Sequence, residues 1–197
     1  MDHSTPKTAL VLIDFQKGFD APFWGQRNNH DAEKNALALL DHFRSASEPI
    51  FHVRHLSREE GSPLRDDGGE CKSGFSPLEG ESVIEKTVNS AFIGTDLEAR
   101  LRDEDIHSLV ICGLTTPHCV STTTRMAANL GFQVTLAGDA CAAFARNADV
   151  SFDDGPPLSP EECHRSALAH LHGEFATVMA TAKICDGSRD APGQADH

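Results

Sequence analysis

Five short apolar runs, at residues 8–13, 49–53, 108–113, 132–136 and 176–180, recur along the 197-residue chain and constrain its fold more than any other feature. The first, ALVLI ending at Asp14, shows no polar alternation, so a strand there must be covered on both faces. Helical patterns lie between the runs. Residues 31–45 place Ala36, Leu37, Leu39, Leu40 and Phe43 on one face, residues 95–102 open with Thr95 as a cap, and residues 159–172 open with Ser-Pro-Glu-Glu. Strands alternating with helices call for right-handed crossovers and a mostly parallel sheet, so the expected class is α/β. A chain of this length is most simply one domain, residues 1–197, and large enough to bury roughly 70% of its extended surface. Residues 56–77, with their glycines and charges, read as a surface loop or lid, and residues 187–197 (GSRDAPGQADH) as a flexible tail.

The third run leads into GLTTPHCVSTTTR, residues 113–125. A buried strand, then Gly113, then Pro117 ahead of an apolar helical pattern reads as strand, tight turn and helix start. Cys119 then falls in the first turn of the helix, where unpaired N–H groups and the positive end of the macrodipole lower a thiol pKa and create a nucleophile. A small buried hydrophobe is an equally good reading of this junction taken alone.

Composition narrows the function. With 17 basic and 30 acidic residues the formal net charge is −13, and no basic cluster stands out, which argues against phosphate-mediated nucleic-acid binding and for small-molecule chemistry. Cysteines 71, 112, 119, 141, 163 and 185 form no C-x-x-C pair and read as reduced thiols. The opening residues MDHSTPKTAL hold no signal-peptide core and no segment approaches a membrane span, so no membrane association and a cytoplasmic location are expected.

Ligands of an open parallel sheet collect at the carboxyl ends of its strands. Asp14 and Cys119 fall on that edge, as does Lys86, which follows the β-like run 82–84. Acid, lysine and cysteine together can supply base, electrostatic partner and nucleophile. Singly, each has a plainer reading, since an aspartate at a strand end caps turns and a lysine near a loop is solvated.

The motifs LVLIDFQ, K-x-x-x-S-A-F and G-L-T-T-x-x-C-V, in this order and covering residues 9–184, make the chain resemble the isochorismatase-like cysteine hydrolases. Among these are nicotinamidases, N-carbamoylsarcosine amidohydrolases and ureidoacrylate amidohydrolases. The resemblance implies a three-layer α/β/α fold with a mostly parallel six-stranded sheet, a catalytic triad of Asp14, Lys86 and Cys119, and an oxyanion hole from the backbone amides of Thr115 and Cys119. It also implies a cis peptide at Leu114–Thr115 and a homo-oligomer, dimer or tetramer. By the family's mechanism Cys119 gives its proton to Asp14 and attacks a carbonyl carbon, and a thioester forms that water then hydrolyses. The expected activity is cleavage of a C–N bond in a small amide, carbamoyl or ureido compound. A vinyl-ether hydrolase without covalent catalysis and a non-catalytic small-molecule-binding protein are the alternatives.

Nicotinamidases carry an Asp-x-His metal site after the second strand. The corresponding stretch here, FHVRHLS, has His52 and His55 without an aspartate, so no catalytic metal and no cofactor are expected, and both histidines can simply bond loop backbone. Phe19, Phe23 and Trp24 offer a pocket wall, core or a subunit interface, Arg54 a partner for a substrate carboxylate, and Phe92 a further pocket residue. His118 lies about 100° around the helix from Cys119 and should not face the sulfur. Glu161, Glu162, His164 and His170 read as a solvated helix whose acids suit its amino terminus.

Overall fold

The computed structural model describes residues 7–187, so the expected tail lies, Gly187 apart, outside the described residues. The strands are β1 (Lys7–Ile13), β2 (Ile50–His55), β3 (Ser82–Lys86), β4 (Ile106–Leu114), β5 (Gln133–Ala142) and β6 (Thr177–Met179). They form one sheet in the order β3-β2-β1-β4-β5-β6, and every pairing is parallel. Residues 9–13 of β1 are all buried, as expected for a central strand without alternation. The helices are α1 (Ala32–Ala46), α2 (Leu97–Asp103), α3 (Ser121–Asn129), α4 (Pro160–Leu171) and α5 (Thr181–Cys185). α1 lies against β1 and β5 and packs on α5, while α3 packs on α4 and also covers β5. The result is a sheet between two helical layers.

Local chemistry sets the boundaries. Ser159 Oγ accepts the Glu162 amide at 3.2 Å and Glu162 returns a bond to the Ser159 amide at 2.8 Å, a reciprocal cap for α4. Asp96 precedes α2 without a side-chain cap bond, while the Thr95 hydroxyl accepts the Leu97 amide at 3.4 Å and donates back to Ala91 O at 2.5 Å. β5 runs well past residue 136 because its ladder with β4 shifts register between Ile111 and Gly113, after which Gly113 pairs with Cys141. Asp139, in the displaced stretch, accepts both the amide and the hydroxyl of Thr181 at 2.8 Å and so starts α5.

Two features shape the carboxyl edge of the sheet. Gly113 has φ +145° and lies so close to β1 that a Cβ there would come within 2.2 Å of Ile13 O, so only glycine lets β4 leave the sheet at this angle. Residues 56–77 are fastened along the exit of β1. Phe75 stacks on Phe15 at 4.2 Å, Gln16 Nε2 donates to Gly69 O at 3.0 Å, and Lys17 and Lys72 pair with Glu70 and Asp20. Among the described residues, no helix is long and apolar enough to cross a membrane.

Candidate active site

The strand order reverses between β1 and β4, which leaves a crevice at their carboxyl ends. Asp14 follows β1 with φ +55°, a left-handed conformation that aspartate tolerates better than most side chains, and its amide is anchored to Val53 O at 2.9 Å. Lys86 is the last residue of β3. Cys119 lies in the turn that joins β4 to α3.

These three residues, far apart in the chain, converge. Lys86 Nζ donates to Asp14 Oδ2 at 2.7 Å and to Cys119 Sγ at 3.2 Å, and the side chains of both Lys86 and Asp14 are fully buried. The second carboxylate oxygen, Asp14 Oδ1, is also buried and has no hydrogen-bond partner among the described residues. Native folds seldom leave a buried acceptor unpaired, which singles out Asp14 Oδ1 as an atom free to take a proton.

The turn around Cys119 differs from the regular helix start that the sequence suggests. Residues Thr116–Val120 form one wide turn before α3, in which Val120 donates to Thr115 O five residues back at 3.3 Å and His118 to the same oxygen at 3.1 Å. The Leu114–Thr115 peptide is cis. The electrostatic expectation for Cys119 is corrected as well. Burial and the neighbouring Asp14 carboxylate outweigh Lys86 and push the thiol up to about 12, so the resting group is a thiol rather than a thiolate. Burial likewise raises Asp14, against the pull of Lys86; desolvation works against the Lys86 ammonium, but its hydrogen-bond partners Asp14 and Cys119 prevail and Lys86 is itself raised. With the thiol so raised, a thiolate at Cys119 requires transfer of its proton to a neighbouring base, and Asp14 stands beside it. Because that transfer turns a carboxylate, ammonium and thiol into an acid, ammonium and thiolate, the buried cluster keeps zero net charge throughout.

The sequence reading of His55 as a loop-bonding histidine did not foresee its place beside Lys86. β2 extends to residue 55, two beyond the expected end, and registers His55 against Lys86, so His55 Nδ1 meets Lys86 Nζ at 3.1 Å. His52 is three residues earlier, an odd step in a strand, and so faces the other side of the sheet, where its Nε2 meets Glu81 Oε2 at 2.7 Å. Asp14, His55 and Cys119 place one potential ligand atom each within 4.8 Å of one another. They do not fit a metal ion, because the Lys86 ammonium already bonds all three. Asn89 also escaped the sequence reading. Its Oδ1 lies 3.7 Å from Cys119 Sγ, and it is an exposed residue.

The expected pocket residues separate. Trp24 stacks on Phe19 at 4.8 Å, meets Phe23 edge-on at 5.1 Å and donates from Nε1 to Gly18 O at 2.8 Å. Phe144, which nothing in the sequence singles out, completes this cluster at 5.8 Å from Phe19. Phe19 is buried within it, leaving Trp24 and Phe23 as the outer members. Arg54 does not join the site. It alternates with His55 in β2, pairs with Glu85 at 2.7 Å and lines a surface hollow with Leu56, Arg65 and Glu70. Phe92 is also turned away, packed at 5.9 Å on Phe132, which enters β5 from the opposite edge of the sheet. On α4, the solvated reading is corrected for His164, which is buried with Nδ1 2.8 Å from Thr116 Oγ1; Glu161 is exposed and accepts from Asn28 at 3.0 Å. Burial holds the His118 ring below the usual histidine range.

Residues 8–183 match the family model of the isochorismatase domain. The chain belongs to the isochorismatase family. An isochorismatase family protein of Bacillus subtilis, YrdC, is 42% identical over 181 residues, covering 90% of this chain and 94% of that protein. The crystal structure of an isochorismatase-family protein from Chromobacterium violaceum superimposes with a TM-score of 0.86 at 41% identity, over 94% and 95% of the two chains. A cysteine hydrolase from Pseudomonas syringae pv. phaseolicola, with a TM-score of 0.80 and 26% identity, covers 91% of each chain. Nicotinamidase 3 of Arabidopsis thaliana is 28% identical over 202 residues, covering 93% of this chain and 89% of that protein. As an isochorismatase-family hydrolase, the chain thus holds its acid, lysine and cysteine at the crevice of a fully parallel sheet.

Proposed function

We propose that this protein is a cysteine hydrolase that cleaves a C–N bond of a small amide, carbamoyl or ureido compound through a thioester. The observation that carries the reading is the Lys86 ammonium bridging Asp14 Oδ2 and Cys119 Sγ while Asp14 Oδ1 stays unpartnered. The thiol proton passes to Asp14 and the sulfur pair attacks the carbonyl carbon. The amides of Thr115 and Cys119 receive the oxyanion. As the intermediate collapses, the C–N bond breaks and the nitrogen leaves with the proton from Asp14, as ammonia or an amine. Asp14 then takes a proton from water, the hydroxide opens the thioester, and the acid departs as the thiol re-forms. The amidase relative is consistent with this chemistry, although the metal-ligand aspartate of nicotinamidases has no counterpart in FHVRHLS.

The burial that raises Asp14 favours one other reading, in which a protonated Asp14 drives vinyl-ether hydrolysis without an adduct. Ammonia release across a panel of primary amides, ureides and lactams, with intact mass spectrometry, separates them. The thioester route requires an acyl adduct in wild type and no turnover in Cys119→Ala. Near wild-type turnover by Cys119→Ala together with a dead Asp14→Asn would establish the acid-catalysed route instead. The working unit is a homo-oligomer, dimer or tetramer, supported by Phe23, which stays 44% exposed beside the Trp24 cluster. Sedimentation at micromolar concentration tests this, and a strict monomer refutes it.

A further inference from the structure

We propose that His55 is a positioning residue whose neutral ring supplies the third acceptor that fixes the Lys86 ammonium between Asp14 and Cys119. This rests on the proposed role of the Asp14, Lys86 and Cys119 cluster and adds a fourth member to it.

A lysine ammonium has three N–H bonds and no acceptor. Three acceptors surround this one: Asp14 Oδ2 at 2.7 Å, His55 Nδ1 at 3.1 Å and Cys119 Sγ at 3.2 Å. With every donor used, Lys86 has one orientation. If His55 were absent, one N–H in a fully buried side chain would lose its partner, and the ammonium could swing off the sulfur. The arrangement also dictates the state of the ring. The nitrogen that faces Lys86 must present its lone pair, so the imidazole proton sits on Nε2.

The backbone of His55 is held as firmly as its ring. Gln16, buried at the exit of β1, accepts the His55 amide at 2.8 Å and donates to the His55 carbonyl at 2.9 Å. One glutamine therefore locks the end of β2 beside the base that leaves β1. Protonating His55 would set a second cation against Lys86. The charged or titratable groups that face the ring are Lys86, Asp14, Cys119 and, from the loop after β2, Glu59. Desolvation and Lys86 disfavour the charged ring more than Asp14 and Glu59 favour it, so the neutral form holds to below the usual histidine range. The positioning is present at neutral pH and is lost as pH falls through that lowered value.

The test needs no knowledge of the substrate. Long-range nitrogen–proton NMR of labelled wild-type protein reads the tautomer, and iodoacetamide alkylation of Cys119, followed by peptide mass spectrometry, reads how well the sulfur is served. The expected result is an Nε2–H tautomer at neutral pH, titrating below the usual histidine pKa. His55→Leu should slow alkylation at least about tenfold, and His55→Asn, which returns an acceptor to the Nδ1 position, should recover most of that loss. Circular dichroism confirms that each variant is folded, and if His55→Leu is not, the wild-type tautomer decides. An Nδ1–H tautomer, or a folded His55→Leu that alkylates at the wild-type rate, overturns the proposal. Amide hydrolysis that survives Cys119→Ala would instead overturn the thioester reading and leave the tautomer result standing.

Discussion

Replacing Lys86 by methionine keeps much of the bulk but leaves the Asp14 carboxylate without a counter-charge in a site with no exposure. Removing one partner of a buried ion pair costs about 3–5 kcal/mol. The Asp14 share of that cost has a ceiling, because the carboxyl can escape it by taking a proton. With an unfolded pKa of about 3.9 and about 1.36 kcal/mol per pH unit, the ceiling is about 5 kcal/mol at pH 7.5 and about 1.5 kcal/mol at pH 5. The sign follows from burial. Burial already holds Asp14 above the usual carboxylate range against the pull of Lys86, and removing Lys86 lifts it further. A group raised in the folded state binds more protons there than in the unfolded chain, so stability falls as pH rises from the unfolded value through the folded one. Urea unfolding of Lys86→Met and wild type at both pH values should therefore show a deficit that shrinks by about 2–3 kcal/mol on acidification. In Asp14→Asn/Lys86→Met the shrinkage should vanish, since no carboxyl remains. A deficit that is constant with pH, or that grows in acid, would refute the account of the buried pair.

Asp14→Asn keeps the shape of the base but cannot take the thiol proton, and turnover should fall at least roughly 100-fold, checked on whichever amide the screen identifies. Exhaustive treatment with EDTA should leave activity intact, because Lys86 rather than an ion serves the three ligand-type side chains; loss that zinc or iron specifically restores would contradict this. Arg54→Gln should change kcat/KM by less than about twofold and stability by no more than about 1 kcal/mol, since it breaks a partly exposed pair with Glu85; a large rise in KM would return Arg54 to the substrate.

The class of fold is legible because unbroken apolar runs such as ALVLI cannot sit at a wet surface, and the three motifs locate Asp14, Lys86 and Cys119 without reference to their geometry. What escapes depends on contacts between distant segments. His55 reads as loop because apolarity ends at Val53, whereas the β2 ladder with β3 continues to residue 55 and makes it the neighbour of Lys86. One signal is available in the spacing: an odd step between His52 and His55 means that two histidines in one strand cannot share a ligand. The same alternation turns Arg54 away from the crevice. The thiol of Cys119 is misjudged because a helix start is visible in sequence and burial is not, and burial is the larger effect. Asn89 and Phe144 carry no local mark of their roles, which come from packing alone.

The site draws on the ends of β1, β3 and β4, with the two bonds of Lys86 closing separations of 72 and 33 residues. The cluster needs strands β1 to β4 together, whereas β5 and β6 lie outside it. A nascent or partly unfolded chain therefore carries Cys119 as an ordinary thiol among six, without a base to collect its proton or an ammonium to steady the sulfur. Under the proposed mechanism the cluster is complete only when β4 and, through β2, β3 are both in place beside β1. Under that mechanism, chemistry at Cys119 depends on the native strand order rather than on the thiol alone, so amide hydrolysis, not possession of the cysteine, reports that the order has been reached.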